Sequence, residues 1–439
     1  MGSDRENAKE WWYFADGWNN NKGDIRNIDE FRLVGDIDFQ GNKGVGEVGK
    51  DWQNYADFGI DLDGNGTIDT DEYTSMIVGD RNSFTANFDG QGYTLKNINI
   101  DTTITRNYKP RYVGIFGNTG GVFKNINVDY IGGSVTVDIG NNSRIFAGGF
   151  AGGAGGTFFN ITLNNINNIS SQGNNNFNNE GYYIGGFAGG TQGNFFNIVL
   201  NNINNINSPK GTESHAGGFT GHARGTYTNI TLNNIKNISS HQDAGGFAGW
   251  IEDEKFSNIT LNNIENIDGS SVGGFVGAAS GGIHENIILN NIGNLSGYSV
   301  GGFIGYINVE STFKNIYIHF KDKATITAKG DGATAGKFLG ATSDYYYQEV
   351  VELSNINLYY ADGSQIAEIK DDIGFAGDGD IIKGTIDSHP YSNEQDGFTI
   401  FKKDVENFFK EENNKPQIHY NKEGGYYTFL DETNNGNGG

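Results

Sequence analysis

One phrase recurs along this chain: Gly-Gly-Phe-x-Gly, followed about ten residues later by Asn-Ile-x-Leu-Asn-Asn-Ile. It stands at Gly148–Gly152 with Asn160–Ile166, Gly185–Gly189 with Asn197–Ile203, and Gly217–Gly221 with Asn229–Ile235. It returns at Gly245–Gly249 with Asn258–Ile264, at Gly273–Gly277 with Asn286–Ile292, and in part at Gly301–Gly305 with Asn315 and Ile316. Phe219, Phe247, Phe275 and Phe303 follow one another at 28 positions. A fixed period of this size means stacked units that bury a continuous core only together. It favours a long contact surface over a single catalytic cleft.

Within a unit the apolar period is two. In Asn258–Ile264, the residues Ile259, Leu261 and Ile264 are expected inside, with a turn at Asn262-Asn263. Gly, Asn and β-branched residues suit short strands and tight corners and suit helices poorly. The expected fold is therefore all-β: a right-handed parallel β-helix of about 28-residue coils, with an N-terminal cap and a small C-terminal α+β element. Stacked coils sit about 4.8 Å apart. Phe247, Phe275 and Phe303 then form an internal aromatic ladder, and Asn233, Asn262 and Asn290 an amide ladder at a corner.

Four zones follow. Residues 1–50 hold Trp11, Trp12 and Trp18 in an irregular pattern, then the strand-like Phe31–Phe39, and are read as cap and entry strand. Residues 51–80 are an acidic insertion. Residues 81–388 carry the repeats. Residues 389–439 leave the pattern, with a short amphipathic helix expected over Phe401–Asn413, a hairpin over Gln417–Phe429 and a disordered tail. The intervals Phe116 to Phe150, Phe150 to Phe187 and Phe303 to Phe338 exceed 28, so extra residues are extruded as loops. Gln172–Glu180 and Ser208–His215 are two such loops and the leading candidates for ligand contact, although no individual ligand-binding residue stands out.

Composition narrows the function. The formal charge of −23 argues against nucleic acid or an anionic membrane as partner. The absence of Cys excludes disulfides, thiolate metal sites and thiol catalysis, and fits extracellular repeat proteins of bacteria. No apolar run approaches a membrane span. The start, Met1-Gly2-Ser3-Asp4, has no basic stretch leading into an apolar one, and the chain is read as a piece of a longer secreted protein.

The run Leu33–Phe39, then Phe88-Asp89-Gly90-Gln91-Gly92-Tyr93-Thr94-Leu95-Lys96-Asn97-Ile98, continues through Val113–Gly117 and Phe123–Ile126. Over about residues 30–376 this resembles the GLUG-repeat β-helix domains of large bacterial surface and secreted proteins, including filamentous-haemagglutinin-like adhesins. The resemblance implies a parallel β-helix at the cell surface or outside it, with an adhesin-like role. It carries over no catalytic residues.

The insertion contains Asp61-Leu62-Asp63-Gly64-Asn65-Gly66-Thr67-Ile68-Asp69-Thr70-Asp71-Glu72. Oxygen ligands fall at Asp61, Asp63, Asn65 and Asp69, with the carbonyl of Thr67. Gly66 permits the sharp turn and Glu72 closes the site in bidentate fashion. This resembles an EF-hand or dockerin-type calcium loop over all its positions. Phe58-Gly59-Ile60 is not helical, while Tyr73–Val78 is a candidate for a short following helix. Bound Ca2+ is expected to be structural, folding a self-repelling acidic insertion, with help in holding a glycan or receptor as the alternative.

Parallel β-helices also carry polysaccharide lyases and glycoside hydrolases, which need aligned carboxylates or a base with Arg or Lys. Here Arg224, Glu252, Asp253, Glu254 and Glu285 fall near loops without a repeat; Asp371, Asp372, Asp378 and Asp380 read as a solvated acidic loop; His215, His222 and His241 read as scattered. No catalytic residue is therefore assigned. The expected function is adhesion by a monomeric, extracellular β-helix to a host or cell-surface glycan or protein receptor. A carbohydrate-active enzyme and a passive stalk are the alternatives.

Overall fold

The computed structural model describes residues 6–41, 53–106, 109–140, 142–172, 181–211, 213–343, 350–377, 381–410 and 416–430. Strands make up 57% and helices 11%, with parallel coils stacked as a β-solenoid of about nine turns. The chain divides into two compact units, Met1–Asn194 with Leu200–Ser214, and Phe195–Val199 with His215–Gly439. Among the described residues no helix is long and apolar enough to cross a membrane.

The first unit opens with a helix, Asn7–Asn20, where the sequence suggested an irregular cap. Trp11, Trp12, Ala15, Trp18 and Asn19 recur at helical spacing and all are buried. The helix closes the end of the core: Trp11 meets the rings of Phe39, Phe88 and Phe116 edge-on at 5.6–5.8 Å. Its indole donates to the Met76 carbonyl at 3.0 Å, and the Asn19 amide donates to the Ile77 carbonyl at 2.8 Å. The first coil then pairs Glu30–Arg32 with Asn87–Asp89 in parallel, setting Phe31 beside Phe88. Inside, Phe123 stacks on Phe158 and Phe150 on Phe187, both at 5.0 Å.

In the second unit the repeat is regular. Strand Gly225–Ser240 pairs in register with Lys255–Asp268, and that strand with Gly282–Gly297. Ile259, Leu261 and Ile264 are fully buried, as the period of two requires. Two ring ladders fill the interior. Phe219, Phe247, Phe275, Phe303 and Phe338 stack at 5.0–5.2 Å. Phe195, Tyr227, Phe256, His284 and Phe313 stack beside them at 4.8–5.2 Å, and the two ladders meet edge to face.

The Gly-Gly pair of the repeat has a steric cause. A Cβ on Gly246 would lie 2.0 Å from the Gly274 carbonyl oxygen of the next coil, and one on Gly218 would lie 2.0 Å from that of Gly246. Asparagine sets the bends: Asn258 and Asn263 hold φ of 58°, a left-handed conformation that Asn tolerates better than most residues. The amide ladder expected at Asn233, Asn262 and Asn290 is present, with Asn262 donating to Asn233 at 2.9 Å and Asn290 to Asn262 at 3.2 Å. Further amide columns run through Asn229, Asn258 and Asn286, and through Asn234, Asn263 and Asn291.

The C-terminal helix spans Glu394–Lys410, starting seven residues before the expected Phe401, since Asn393 Oδ1 accepts the Asp396 N–H at its start. Residues 411–413 and the tail lie outside the described residues. The hairpin forms as expected, Ile418–Asn421 against Tyr426–Phe429. Helix and hairpin fold onto the outer face of the coils. There Tyr359, Tyr391, Phe401, Val405, Phe409 and Phe429 form one buried cluster with Ile288 and Tyr317. Tyr427 exchanges both backbone hydrogen bonds with the Asn262 side chain, each at 3.0 Å.

Candidate metal centre

The acidic loop is clipped at its base by two short antiparallel strands, Phe58–Gly59 and Tyr73–Thr74, with Gly59 opposite Tyr73. Tyr73 thus begins a strand, and the helical turn falls before it, at Thr70–Glu72. The reason lies in Glu72, whose carboxylate reaches back across the loop. Its Oε1 accepts the Leu62 N–H at 2.6 Å and its Oε2 the Asp69 N–H at 2.8 Å. These amides, Asp69 first and then Leu62, hold the Glu72 carboxyl below its ordinary range.

Asp61 is organised in the same way. Its two oxygens accept the N–H groups of Gly64 at 2.7 Å and Gly66 at 2.8 Å. The Gly66 amide is the first cause of its lowered pKa. Gly64 and Gly66 both take positive φ, 76° and 86°, which a side chain would oppose. One oxygen each from Asp61, Asp63 and Glu72 lies within 4.8 Å of the others. No described cationic side chain pairs with any of the three. Three like charges gathered without a counter-charge, on oxygen ligands alone, fit a hard divalent cation.

The remaining expected ligands are less converged. Asn65 Oδ1 is taken by the Thr67 amide at 2.8 Å and hydroxyl at 2.5 Å. Its Nδ2 points to Asp63 at 2.9 Å and Asp69 at 3.5 Å. Asn65 therefore turns its amide nitrogen, not its oxygen, towards the carboxylates.

Elsewhere, His215 and His222 come closer together than the sequence suggested. His215 Nδ1 lies 2.8 Å from Asp243 Oδ2, in register on the next coil, and its ring is 6.0 Å from that of Trp250. His222 Nε2 lies 3.1 Å from Glu252 Oε1, to which Arg224 donates at 2.7 Å. Burial pushes His222 down to about 4, against the pull of Glu252. The Arg224 hydrogen bond lowers Glu252, whereas burial raises Glu254 to about 7. His241 stays exposed at a bend. The signal for this grouping was weak, because strand partners a coil apart are distant in sequence.

Of the loops expected to carry ligand contacts, residues 173–180 lie outside the described residues, as do Asp378 and Asp380. The second loop is tied down in part: Ser214 Oγ donates to the Pro209 carbonyl at 2.7 Å, and Glu213 pairs with Arg144 at 2.9 Å. No known family model matches this chain, nor does any curated protein or solved structure.

Proposed function

We propose that this chain is an exported adhesin-type module of the GLUG-repeat kind, recognising a host or cell-surface glycan or protein and stabilised by one calcium ion. The observation that carries this reading is the contrast between a packed interior and a repetitive polar exterior. The ring ladders leave no chemistry inside, while columns of amides such as Asn237, Asn266 and Asn294 repeat at coil spacing on the exposed side. A regular array of donors and acceptors on a scaffold is suited to recognition. In this reading Asp61, Asp63 and Glu72 hold the ion, Asn65 turns its amide over to join them, and the Thr67 carbonyl and Asp69 complete the set. Millimolar calcium outside the cell would keep such a site filled. The test is adherence of the purified chain to cells before and after enzymatic removal of surface glycans. Binding lost on deglycosylation supports a glycan ligand, binding retained supports a protein receptor, and no binding to any cell rejects the module as an adhesin.

A second reading has its own observation. Glu252 and Glu254 are neighbouring carboxylates whose environments push their pKa values in opposite directions, the pattern of an acid and base pair. A carbohydrate-active enzyme on this face would use Glu254 as the acid and Glu252, held by Arg224, as the base or nucleophile. Release of reducing ends or unsaturated sugars from a polysaccharide panel, abolished by Glu254→Gln, would support it. No product from any polysaccharide would reject it.

A further inference from the structure

Where the C-terminal element folds onto the coils, it leaves a groove of about 710 Å³, within the range of about 300–1,000 Å³ common to small-molecule sites. Its lining is unusual for a chain of charge −23, because it contains no Asp, Glu, Lys or Arg. Carboxamides come from three places: Asn263 and Asn291 from two successive coil strands, and Asn393 with Gln395 from the start of the C-terminal helix. Phe398 and Tyr420, their ring centroids 5.7 Å apart, supply half-buried apolar surface.

At the bottom lies His319, fully buried. It continues the amide column, in register with Asn290 of the previous coil. Its ring is packed between Tyr391 at 5.9 Å and Phe401 at 5.0 Å, and neither ring nitrogen has a hydrogen-bond partner. Asn290 Oδ1 beside it is buried and unmet as well. A buried donor and acceptor left unpaired are costly, and native proteins leave few. Burial holds His319 down to about 4, so the ring is neutral at physiological pH. The groove thus has one neutral, unpartnered imidazole buried at its base, amides at its rim and aromatic carbon on one wall.

We infer that this groove is a binding subsite for a neutral, polyhydroxylated ligand, a hexose or N-acetylhexosamine unit of a glycan. The hydroxyls of the sugar would meet the ring nitrogens of His319 and the amides of Asn291, Asn393 and Gln395, while its C–H face rests against Phe398 and Tyr420. Acidic sugars are disfavoured, because no cation lines the groove and the protein carries excess negative charge. The inference rests on the reading of the chain as a recognition module and moves the contact from the extruded loops to the C-terminal element.

The test is a titration of the whole chain with maltotriose, cellotriose and triacetylchitotriose, with sialyllactose as the acidic comparison. The readouts are the His319 ring nitrogen signals by NMR and affinity by calorimetry. At least one neutral trisaccharide is expected to shift the His319 signals, and sialyllactose to leave them in place. Gln395→Ala, at an exposed helix start, is expected to weaken that binding about tenfold, the loss of one well-placed hydrogen bond to sugar. His319→Phe should abolish it while continuing the ring stack. If no neutral trisaccharide moves the His319 signals, or Gln395→Ala binds as wild type does, the groove is not the subsite. Retained adherence to cells in that case would spare the adhesin reading, and its absence would reject both.

Discussion

His284 occupies a place in the inner ladder that Phe or Tyr holds in other coils, and replacing it tests how that ladder stabilises the protein. The imidazole lies 5.2 Å from the Phe256 ring and 4.8 Å from that of Phe313. The neighbouring steps, Phe195 to Tyr227 and Tyr227 to Phe256, measure 5.1 and 4.9 Å, so a six-membered ring fits the slot. Both nitrogens of His284 are buried without partners. Each unmet group costs about 1–3 kcal/mol, and a slightly larger ring returns about 1 kcal/mol of crowding. His284→Phe is therefore expected to stabilise the protein by about 1–5 kcal/mol at pH 7.5. Burial also lowers the folded pKa of His284 from 6.5 to about 3. Between those values the unfolded chain binds the proton and the folded chain does not. The contribution is complete above about pH 6.5 and declines as the pH falls towards 3. The loss is about 1.4 kcal/mol per pH unit, or about 2 kcal/mol at pH 5. Urea midpoints of wild type and His284→Phe, measured from pH 8 to pH 5, isolate this term because other titrating groups cancel. The gap between them should widen by about 2 kcal/mol at pH 5. A constant gap, or a less stable variant at pH 7.5, would mean that the buried imidazole of His284 carries no such cost.

Three further outcomes are expected. Asn262→Ala removes the bonds to Asn233, to Asn290 and to both backbone groups of Tyr427. It should cost about 2–4 kcal/mol and speed amide exchange at Tyr427 before the coils are affected. Gly246→Ala places a methyl 2.0 Å from a backbone oxygen that cannot move alone. Circular dichroism melting should show a loss exceeding about 3 kcal/mol, or no folded product. Terbium luminescence should report a lanthanide at the 61–72 loop that calcium displaces, with Glu72→Gln weakening it at least tenfold, on the order of one lost ligand bond; equal signal from the variant would remove Glu72 from the site.

The repeat was legible because its period is written in residues that cannot be exchanged. A Cβ on Gly246 or Gly274 would lie 2.0 or 2.2 Å from a backbone oxygen of the next coil, and Asn258 and Asn263 hold the bends. The helix Asn7–Asn20 was hidden because its Trp-Trp-x-x-Ala-x-x-Trp-Asn spacing stands before a chain that speaks in strands. The second ring ladder was missed because its column varies, reading Phe195, Tyr227, Phe256, His284 and Phe313. The acidic spacing of the 61–72 loop let Asp61, Asp63 and Glu72 be read as neighbours, yet could not show Asn65 turned the other way. The docking of the C-terminal element was not legible at all. Asn262 and Tyr427 are 165 positions apart, and nothing local marks them as partners.

Binding of the purified protein to an array of neutral and acidic glycans, in calcium and then in chelator, decides whether this chain is a recognition module for glycans. Selective signal on neutral glycans that survives chelation is expected if the groove at the C-terminal element binds the sugar and the acidic loop serves stability. A blank array in both conditions would contradict that role, and signal that vanishes with the ion would place recognition at the 61–72 loop instead.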